Sequence, residues 1–209
     1  MANPAWVSSD AAISRRVVDG LVVETFAAPG LVAVTPSKHG DVRGFLSETY
    51  SRRRFGEIGI DIDFVQDNHT FSAEKGTIRG LHFQTPPDEQ GKLVRVASGA
   101  VLDLVVDIRH GSPAFGQPIG VELSAENWRQ LYVPPGFAHG FCTLTPNAEV
   151  LYRMTQYYAA SADRGLAFDD PELAIEWPVN PAAAILSDKD RRHPPLRDLP
   201  AYFRFEAAS

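Results

Sequence analysis

Two histidines in this sequence stand beside residues that could make them chemically active. Residues 76–84 place Arg79 three positions before His82, and residues 134–141 form a turn that carries His139 between aromatic side chains. A cation near an imidazole can form an acid–base or anion-binding site, but an ordinary polar strand end explains Arg79 and His82 equally well. For His139, a hydrogen-bonded structural histidine is the simpler interpretation, although turns of this kind often line binding sites.

Further polar residues interrupt apolar, strand-like stretches of the chain. Lys92 opens one such stretch, where it either ends in solvent or holds an anion or a developing oxyanion. Asp103 and Asp107 alternate with a Leu and Val face, and the pattern leaves open whether they face solvent or a cavity. Tyr152 lies in the apolar run 150–158, where a tyrosine is usually a packing residue with a bonded hydroxyl.

Metal and nucleotide motifs are missing from the sequence. Its six histidines include no His-x-His or His-x-x-x-His pair, and Cys142 is the single cysteine, so we expect no bound metal. The sequence has neither a glycine-rich nucleotide loop nor the elbow motif of serine hydrolases. Cys142 lies between Phe141 and Thr143, which favours an inert buried thiol.

The overall composition is that of an ordinary globular protein. The 209 residues are 44% hydrophobic and 22% charged, with a net charge of −6 that disfavours binding to nucleic acid or anionic membranes. One cysteine cannot form an intramolecular disulfide, which indicates a reducing compartment. No signal-peptide pattern begins the chain, and no apolar run reaches the roughly 18 residues of a membrane span. We therefore predict a cytoplasmic protein.

The elements that position these side chains are mostly strands. Residues 92–96 and 101–108 alternate with period 2 and flank a Ser-Gly turn signal, which predicts a β-hairpin with a buried second strand. Short strands separated by Gly and Pro are typical of a sandwich or barrel. Helical signals are restricted to a short helix capped by Ser51 and one turn at 124–127, and residues 178–200 indicate an irregular tail. Further strands are predicted at 31–35, 44–50, 64–68, 120–123, 130–133 and 149–157, with a short segment at 201–205.

Eight segments of the chain form an ordered series: 40–45, 64–69, 79–84, 90–95, 111–116, 122–127, 135–141 and 186–190. Taken together, they closely resemble the dTDP-4-dehydrorhamnose 3,5-epimerase family. The resemblance implies a metal-free, all-β cupin fold, a jelly-roll sandwich or barrel with a few short helices. It also implies a homodimer in which strands of one subunit complete the sheet of the other. No cofactor is implied.

We divide the chain into an extension without structural assignment, residues 1–30, and a single cupin domain, residues 31–209.

The resemblance also implies a role for individual residues. His82 would be the general base, Asp190 would orient it, Tyr152 would donate a proton on the opposite face, and Lys92 would stabilise an enolate. The remaining matched positions would contact nucleotide, pyrophosphate or sugar: Arg43, Glu48, Gln66, Asp67, Asn68, Arg79, His139, Asp163 and Lys189.

The implied reaction makes sense of these residue types. The family inverts C3 and C5 of dTDP-4-dehydro-6-deoxy-D-glucose to give dTDP-4-dehydro-L-rhamnose, the precursor of dTDP-L-rhamnose. Protons beside the C4 ketone are acidic because the carbanion delocalises into an enolate. An imidazole, with a reference pKa of about 6.5, can accept such a proton at neutral pH, and a phenol, with a reference pKa near 10, still holds one to return. Arg43, Arg79, Lys92 and Lys189 would form a cationic pocket for the diphosphate in a chain that is acidic overall.

The sequence departs from the family pattern at two positions, and it is compatible with three functions besides double epimerisation. Val42 stands where the family commonly has an acidic residue, and Asp163 where Glu is common. A relative that inverts only C3 or only C5 would share His82, Lys92 and Tyr152. A non-catalytic cupin could use the same fold to bind a sugar nucleotide. A metal-dependent cupin oxygenase is the third possibility, which the absence of ligand motifs disfavours.

Overall fold

Two antiparallel β-sheets form the framework of the computed structural model, which describes residues 12–206. The seven-stranded sheet has the order β1-β2-β3-β12-β8-β14-β6, and the five-stranded sheet has the order β11-β9-β13-β7-β15. The strands of the first sheet are β1 (Ala12–Val18), β2 (Leu21–Phe26), β3 (Val32–Thr35), β6 (Gln66–Ser72), β8 (Lys92–Ser98), β12 (Gln130–Val133) and β14 (Ala148–Met154). Those of the second are β7 (Ile78–Gln84), β9 (Ala100–Asp107), β11 (Pro118–Ser124), β13 (Phe137–Thr143) and β15 (Asp163–Gly165). Two small ribbons pair β4 (His39–Asp41) with β5 (Gly44–Leu46), and β10 (Arg109–His110) with β16 (Phe203–Arg204).

The main core lies between the two sheets. Val94 and Val150 of the seven-stranded sheet pack in one cluster with Val101, Val105 and Phe141 of the five-stranded sheet. Because side chains alternate between the two faces of a strand, every second residue of these strands enters this layer. The predicted all-β jelly-roll sandwich is therefore confirmed.

Each sheet is also covered on its outer face. Leu104 and Val106 of β9 point away from the main core and pack against Trp177 and Phe203 of the C-terminal segment. This explains why β9 is buried along almost its whole length, as the sequence pattern predicts. On the other side, the short helix α1 (Arg52–Glu57) packs Phe55 against the seven-stranded sheet.

Residues 12–26, which belong to the predicted extension without structural assignment, form β1 and β2 at the edge of the seven-stranded sheet. Leu21, Val23 and Phe26 of β2 are almost fully buried. The amphipathic pattern of β2 is short, and its apolar residues acquire a partner only when the rest of the sheet is present. Residues 1–11 of the predicted extension lie outside the described residues.

The predicted hairpin at residues 92–108 is wrong. Its two strands form, but β8 pairs with β12 and β14 in one sheet, whereas β9 pairs with β11 and β13 in the other. The turn at Gly99, with φ +73°, carries the chain from one sheet to the other. A local turn signal looks the same for a hairpin and for such a crossing, because only long-range pairing distinguishes them.

The helical predictions are confirmed in part. Ser51 precedes α1 as expected, although its side chain makes no capping hydrogen bond. Residues 124–127 form a turn that is stabilised by Asn127 rather than a helix. The C-terminal segment has short 3-10 turns, including Asp190–Arg192. Within residues 12–206, no helix is long and apolar enough to cross a membrane.

Two glycines bring β7 and β13 into unusually close contact. A Cβ on Gly140 would lie 2.6 Å from the carbonyl oxygen of Arg79 and 2.9 Å from the Cα of Gly80. The register changes at the same place: His139 pairs with His82, but Phe141 pairs with Arg79, so β7 has one extra residue. Such a bulge changes which side chains share a face of the strand. It allows Arg79 and His82, three residues apart, to reach the same side of the sheet.

We predict that Gly140→Ala destabilises the fold by about 1–3 kcal/mol, the usual cost of overpacking, because the added methyl group must separate β7 from β13. Gly40→Ala is the matched control, since a Cβ there meets nothing nearer than 3.5 Å. Urea unfolding of both variants measures the difference. Equal stability of the two variants would contradict the close contact.

Candidate active site

A polar cavity opens between the two sheets and has two adjoining lobes, with volumes of about 330 Å³ and about 240 Å³. Both lobes are lined by His82, Lys92, Tyr152 and Lys189. These residues come from β7, β8, β14 and the C-terminal segment, so no single element builds the site. The cavity is large enough to hold a small organic ligand in contact with all four side chains.

His82 forms a half-buried pair with Asp190. The Nε2 atom of His82 lies 2.6 Å from Oδ1 of Asp190. Since a carboxylate only accepts hydrogen bonds, Nε2 carries the proton, and Nδ1 is then the nitrogen that can accept one. Burial alone would raise the pKa of the Asp190 carboxyl, but the imidazoles of His193 and His82 outweigh this and hold the pKa well below its usual range. Asp190 therefore stays charged and fixes the tautomer of His82.

Lys92 ends a second buried chain of polar groups. Its Nζ donates to the carbonyl oxygen of His82 at 3.2 Å and lies 3.4 Å from Nδ1 of His139. On the other side of the ring, Nε2 of His139 donates to the fully buried carboxylate of Asp103 at 3.0 Å. The proton on Nε2 leaves Nδ1 as an acceptor for the lysine. Asp103, for which the sequence pattern left two orientations open, thus faces the interior.

Burial controls the protonation of Lys92 and His139. It lowers the pKa of Lys92 to about 8, against an opposing effect of the charges on Asp103 and Asp163. Burial likewise lowers the pKa of His139, more than its contact with Asp103 raises it. Near neutral pH, this arrangement places a charged ammonium group beside a neutral imidazole.

Tyr152 approaches the cavity from the opposite sheet to His82. It lies on β14, between Asn68 of β6 and Val94 of β8, and packs its ring against the main core. His82 lies on β7 of the five-stranded sheet. A ligand in the cavity would have the imidazole on one side and the phenol on the other.

A further ion pair, between Lys189 and Asp163, lies at the mouth of the cavity. Lys189 forms an ion pair with Asp163, which also accepts a hydrogen bond from the hydroxyl of Tyr158 at 3.0 Å. Burial alone would raise the pKa of the Asp163 carboxyl, but these two donors lower it below its ordinary value. Arg79 lines the smaller lobe and is held by Ser72 and the carbonyl oxygen of Phe71. The cavity therefore has several cations that suit an anionic ligand.

The structure brings together most of the site residues that the sequence predicted. All four proposed catalytic residues line the cavity, as do six of the proposed binding residues: Gln66, Asn68, Arg79, His139, Asp163 and Lys189. Three others do not line it. Asp67 projects from the outer face of β6 toward Arg153, because it alternates with Gln66 and Asn68. Glu48 pairs with Arg54, and Arg43 is exposed in the β4–β5 ribbon beside Asp41.

Several residues of the site were missed by sequence reasoning. Tyr158, Gln90 and Met154 line the larger lobe, and His193 lies next to Asp190. Tyr158 follows Tyr157 in the same apolar run, which is typical of packing residues, and nothing in the spacing distinguishes the two tyrosines. Cys142 is buried as predicted, and burial raises the pKa of its thiol to about 12.

Several known proteins are similar to this chain in sequence and in structure. A sequence model of dTDP-4-dehydrorhamnose 3,5-epimerases matches residues 25–198. The enzyme of that name from Sinorhizobium fredii is 44% identical over 188 residues, covering 90% of this chain and 96% of the relative. A crystal structure of the Bacillus anthracis enzyme, with TDP and pyrophosphate bound, superposes with a TM-score of 0.80 at 47% identity, covering 87% of this chain and 99% of that one. The Legionella pneumophila enzyme, in complex with dTDP-4-keto-L-rhamnose, gives a TM-score of 0.80 at 44% identity, covering 85% and 94%.

We predict that Lys92 titrates with a pKa of about 8 and that Asp103→Asn lowers this value. Removing the buried negative charge leaves the ammonium form less stabilised, so the lysine loses its proton at lower pH. NMR titration of isotope-labelled lysine side chains measures the change. Asp67→Asn is the matched control, because it removes a carboxylate on the outer face of the same sandwich. An unchanged Lys92 titration in Asp103→Asn would refute the coupling.

Proposed function

The chain belongs to the dTDP-4-dehydrorhamnose 3,5-epimerase family, and from that membership we propose how its cavity performs the reaction. The protein is an isomerase that inverts C3 and C5 of dTDP-4-dehydro-6-deoxy-D-glucose, giving dTDP-4-dehydro-L-rhamnose in dTDP-L-rhamnose biosynthesis. The observation that carries the mechanism is the placement of His82 and Tyr152 on opposite sheets, with one cavity between them.

His82 is the general base. Nδ1 takes a proton from the carbon beside the C4 ketone, while Nε2 keeps its hydrogen bond to Asp190. The resulting imidazolium lies 2.6 Å from a charged carboxylate, which stabilises it. Asp190 is therefore a positioning residue whose charge also favours proton uptake.

Lys92 stabilises the enolate. Its ammonium group supplies a donor for the negative charge that develops on the C4 oxygen, and one such donor is worth about 3 kcal/mol in a preorganised site. His139 contacts Nζ of the lysine and is itself held by Asp103, so the two residues fix the position of the ammonium group. With a pKa of about 8, Lys92 is mostly charged at neutral pH.

Tyr152 completes the inversion. A single residue would return the proton to the face from which it was taken, so inversion needs a donor on the other face. The phenol of Tyr152 projects from the opposite sheet and protonates the enolate there. The same pair acts at C3 and at C5, because both carbons adjoin the C4 carbonyl. Between the two inversions His82 releases its extra proton to solvent and Tyr152 regains one from solvent.

The cations at the mouth bind the diphosphate. Arg79 and Lys189 suit phosphate oxygens, and they concentrate positive charge in a chain with a net charge of −6. The partner is thus a dTDP-linked sugar, and neither nucleic acid nor membrane is expected. The cytoplasmic location and the domain boundary at residue 31 stay predictions.

The β4–β5 ribbon, which we call the arm, exposes apolar side chains, and contact with a second copy of the chain would explain this exposure. Arg43 lies in the β4–β5 ribbon with 86% of its side chain exposed, next to Val42, Phe45 and Leu46, which are also exposed. Apolar residues on a protruding ribbon favour contact with another protein surface. We propose a homodimer in which this arm carries Arg43 to the cavity of the other subunit. The edge strand β1, with exposed Ile13 and Val17, is a further candidate contact.

Solvent exchange tests the chemistry. In heavy water, we expect deuterium at both C3 and C5 of the product from the wild-type protein. His82→Ala removes the base and loses exchange at both centres, by about 10²–10⁴-fold. Tyr152→Phe loses inversion, while any exchange that remains retains the starting configuration. Mass spectrometry and NMR of the sugar measure both effects. Deuterium at one centre only would indicate a single-centre epimerase. Full exchange in His82→Ala would show that another group removes the proton and would contradict the mechanism.

Mixing two defective variants tests the arm. If Arg43 acts in the other subunit, unfolding and refolding Arg43→Ala together with His82→Ala produces hybrid dimers with one intact site. Activity then recovers to about one quarter of the wild-type value for random pairing of a two-fold dimer. Activity equal to the average of the two separate variants would show that Arg43 does not act across subunits.

A further inference from the structure

His193 lies beside the catalytic pair, and one of its ring nitrogens is buried without a hydrogen bond. Its side chain is only 10% exposed, and its Nε2 atom makes no hydrogen bond to any residue in the described range 12–206. The nearest charged group is Oδ1 of Asp190 at 3.6 Å, just beyond hydrogen-bond distance, although close enough for the imidazole to help hold the pKa of the Asp190 carboxyl low. Buried nitrogens are nearly always paired, so this one calls for an explanation.

The position of the His193 ring is fixed by its packing. A Cβ on Gly165 would lie 2.3 Å from Nε2 of His193, so the ring occupies space that only glycine at this position leaves open. The ring also packs edge-to-face on His82, with centroids 5.6 Å apart. Gly165 pairs directly with His82 in the sheet, which brings both imidazoles to the same carboxylate.

The three side chains together form a metal-ligand set, which we name the His-Asp-His cluster: His82, Asp190 and His193. One donor atom from each lies within 4.8 Å of the other two. Two imidazole nitrogens and a carboxylate oxygen suit Zn²⁺ and similar ions. Sequence spacing does not reveal the cluster, because His82 is more than a hundred residues from the other two ligands.

The dimensions of the cluster fit such an ion after a small movement. A tetrahedral ion with bonds of about 2.0–2.2 Å holds its donor atoms roughly 3.3 Å apart. The gap of 3.6 Å between His193 and Asp190 is close to this spacing. The pair of His82 and Asp190, at 2.6 Å, must open by less than about 1 Å.

We propose that the His-Asp-His cluster binds one divalent transition-metal ion of the Zn²⁺ type, and that the bound ion inhibits the enzyme. In the active form, the single imidazole proton of His82 is on Nε2 and is donated to Asp190. A metal ion on Nε2 moves this proton to Nδ1, the nitrogen that must accept a proton from the substrate. The ion therefore blocks the base and also occupies Asp190. The inhibition rests on the proposed function, whereas the binding does not.

Metal binding is tested on the full chain without substrate. Zn²⁺ is titrated in competition with a chromophoric chelator, and Co²⁺ absorption reports the ligand geometry. We expect one ion per chain, with His193→Gln weakening affinity at least about 10-fold, since even changes outside the ligand shell often cost that much. His69→Gln is the matched control, because His69 pairs with Glu149 on the outer face of the sheet. The absence of stoichiometric binding, or equal affinity in His193→Gln, would overturn the proposal.

Activity measurements separate inhibition from failure of the proposed function. We expect Zn²⁺ to stop wild-type turnover at the concentrations that fill the site, EDTA to restore it, and Mg²⁺, which prefers oxygen ligands, to have no effect. The rate of His193→Gln is compared with its own metal-free rate, and we expect Zn²⁺ at the concentration that inhibits the wild-type protein to lower it far less. Turnover by the wild-type protein that is unchanged when the site is filled would refute the inhibition. Binding by a protein that shows no turnover even without metal would support the cluster and contradict the proposed function instead.

Discussion

The close contact between Gly80 and Gly140 is the constraint on which the site depends. Two strands can approach so closely only where neither has a side chain, and the extra residue in β7 changes the alternation at that point. Without the bulge, Arg79 and His82 would point to opposite faces of the sheet. With it, a phosphate-binding cation and a base line the same cavity. The contact also sets His82 directly beside His139 on the neighbouring strand.

The two sheets of the sandwich place catalytic side chains on both sides of one cavity, which a single sheet could not do. Inversion of a carbon needs acid and base on opposite sides of the sugar, and the two inner faces of a sandwich supply those sides. The apolar core between the sheets fills most of the layer, and the cavity begins where polar residues replace it. The sheets are held at this separation by the core and by the layers that cover them on both outer faces.

Charge inside the sandwich is organised in pairs. Lys92 and Asp103 are joined through the imidazole of His139, and Asp190 is joined to His82. Burying an unpaired charge destabilises the folded state by several kcal/mol. Each buried charge of the site is therefore compensated by a group of opposite charge or a hydrogen-bond partner. Burial also lowers the pKa of Lys92 toward the working pH, which a lysine in solvent would not show. The same packing leaves His193 facing Asp190 without a hydrogen bond.

The sequence by itself determined the strand-rich architecture, the buried nature of β9 and the residue types at the site, because period-2 patterning and side-chain chemistry are local properties. It did not determine that β8 and β9 enter different sheets, that residues 12–26 complete the larger sheet, or that Asp67 faces outward while Gln66 and Asn68 face the cavity. Nothing in its spacing indicated that His193 lies beside His82. Only the tertiary structure decided these points, because strand pairing, register and the bulge at Gly80 arise from contacts between residues far apart in the chain.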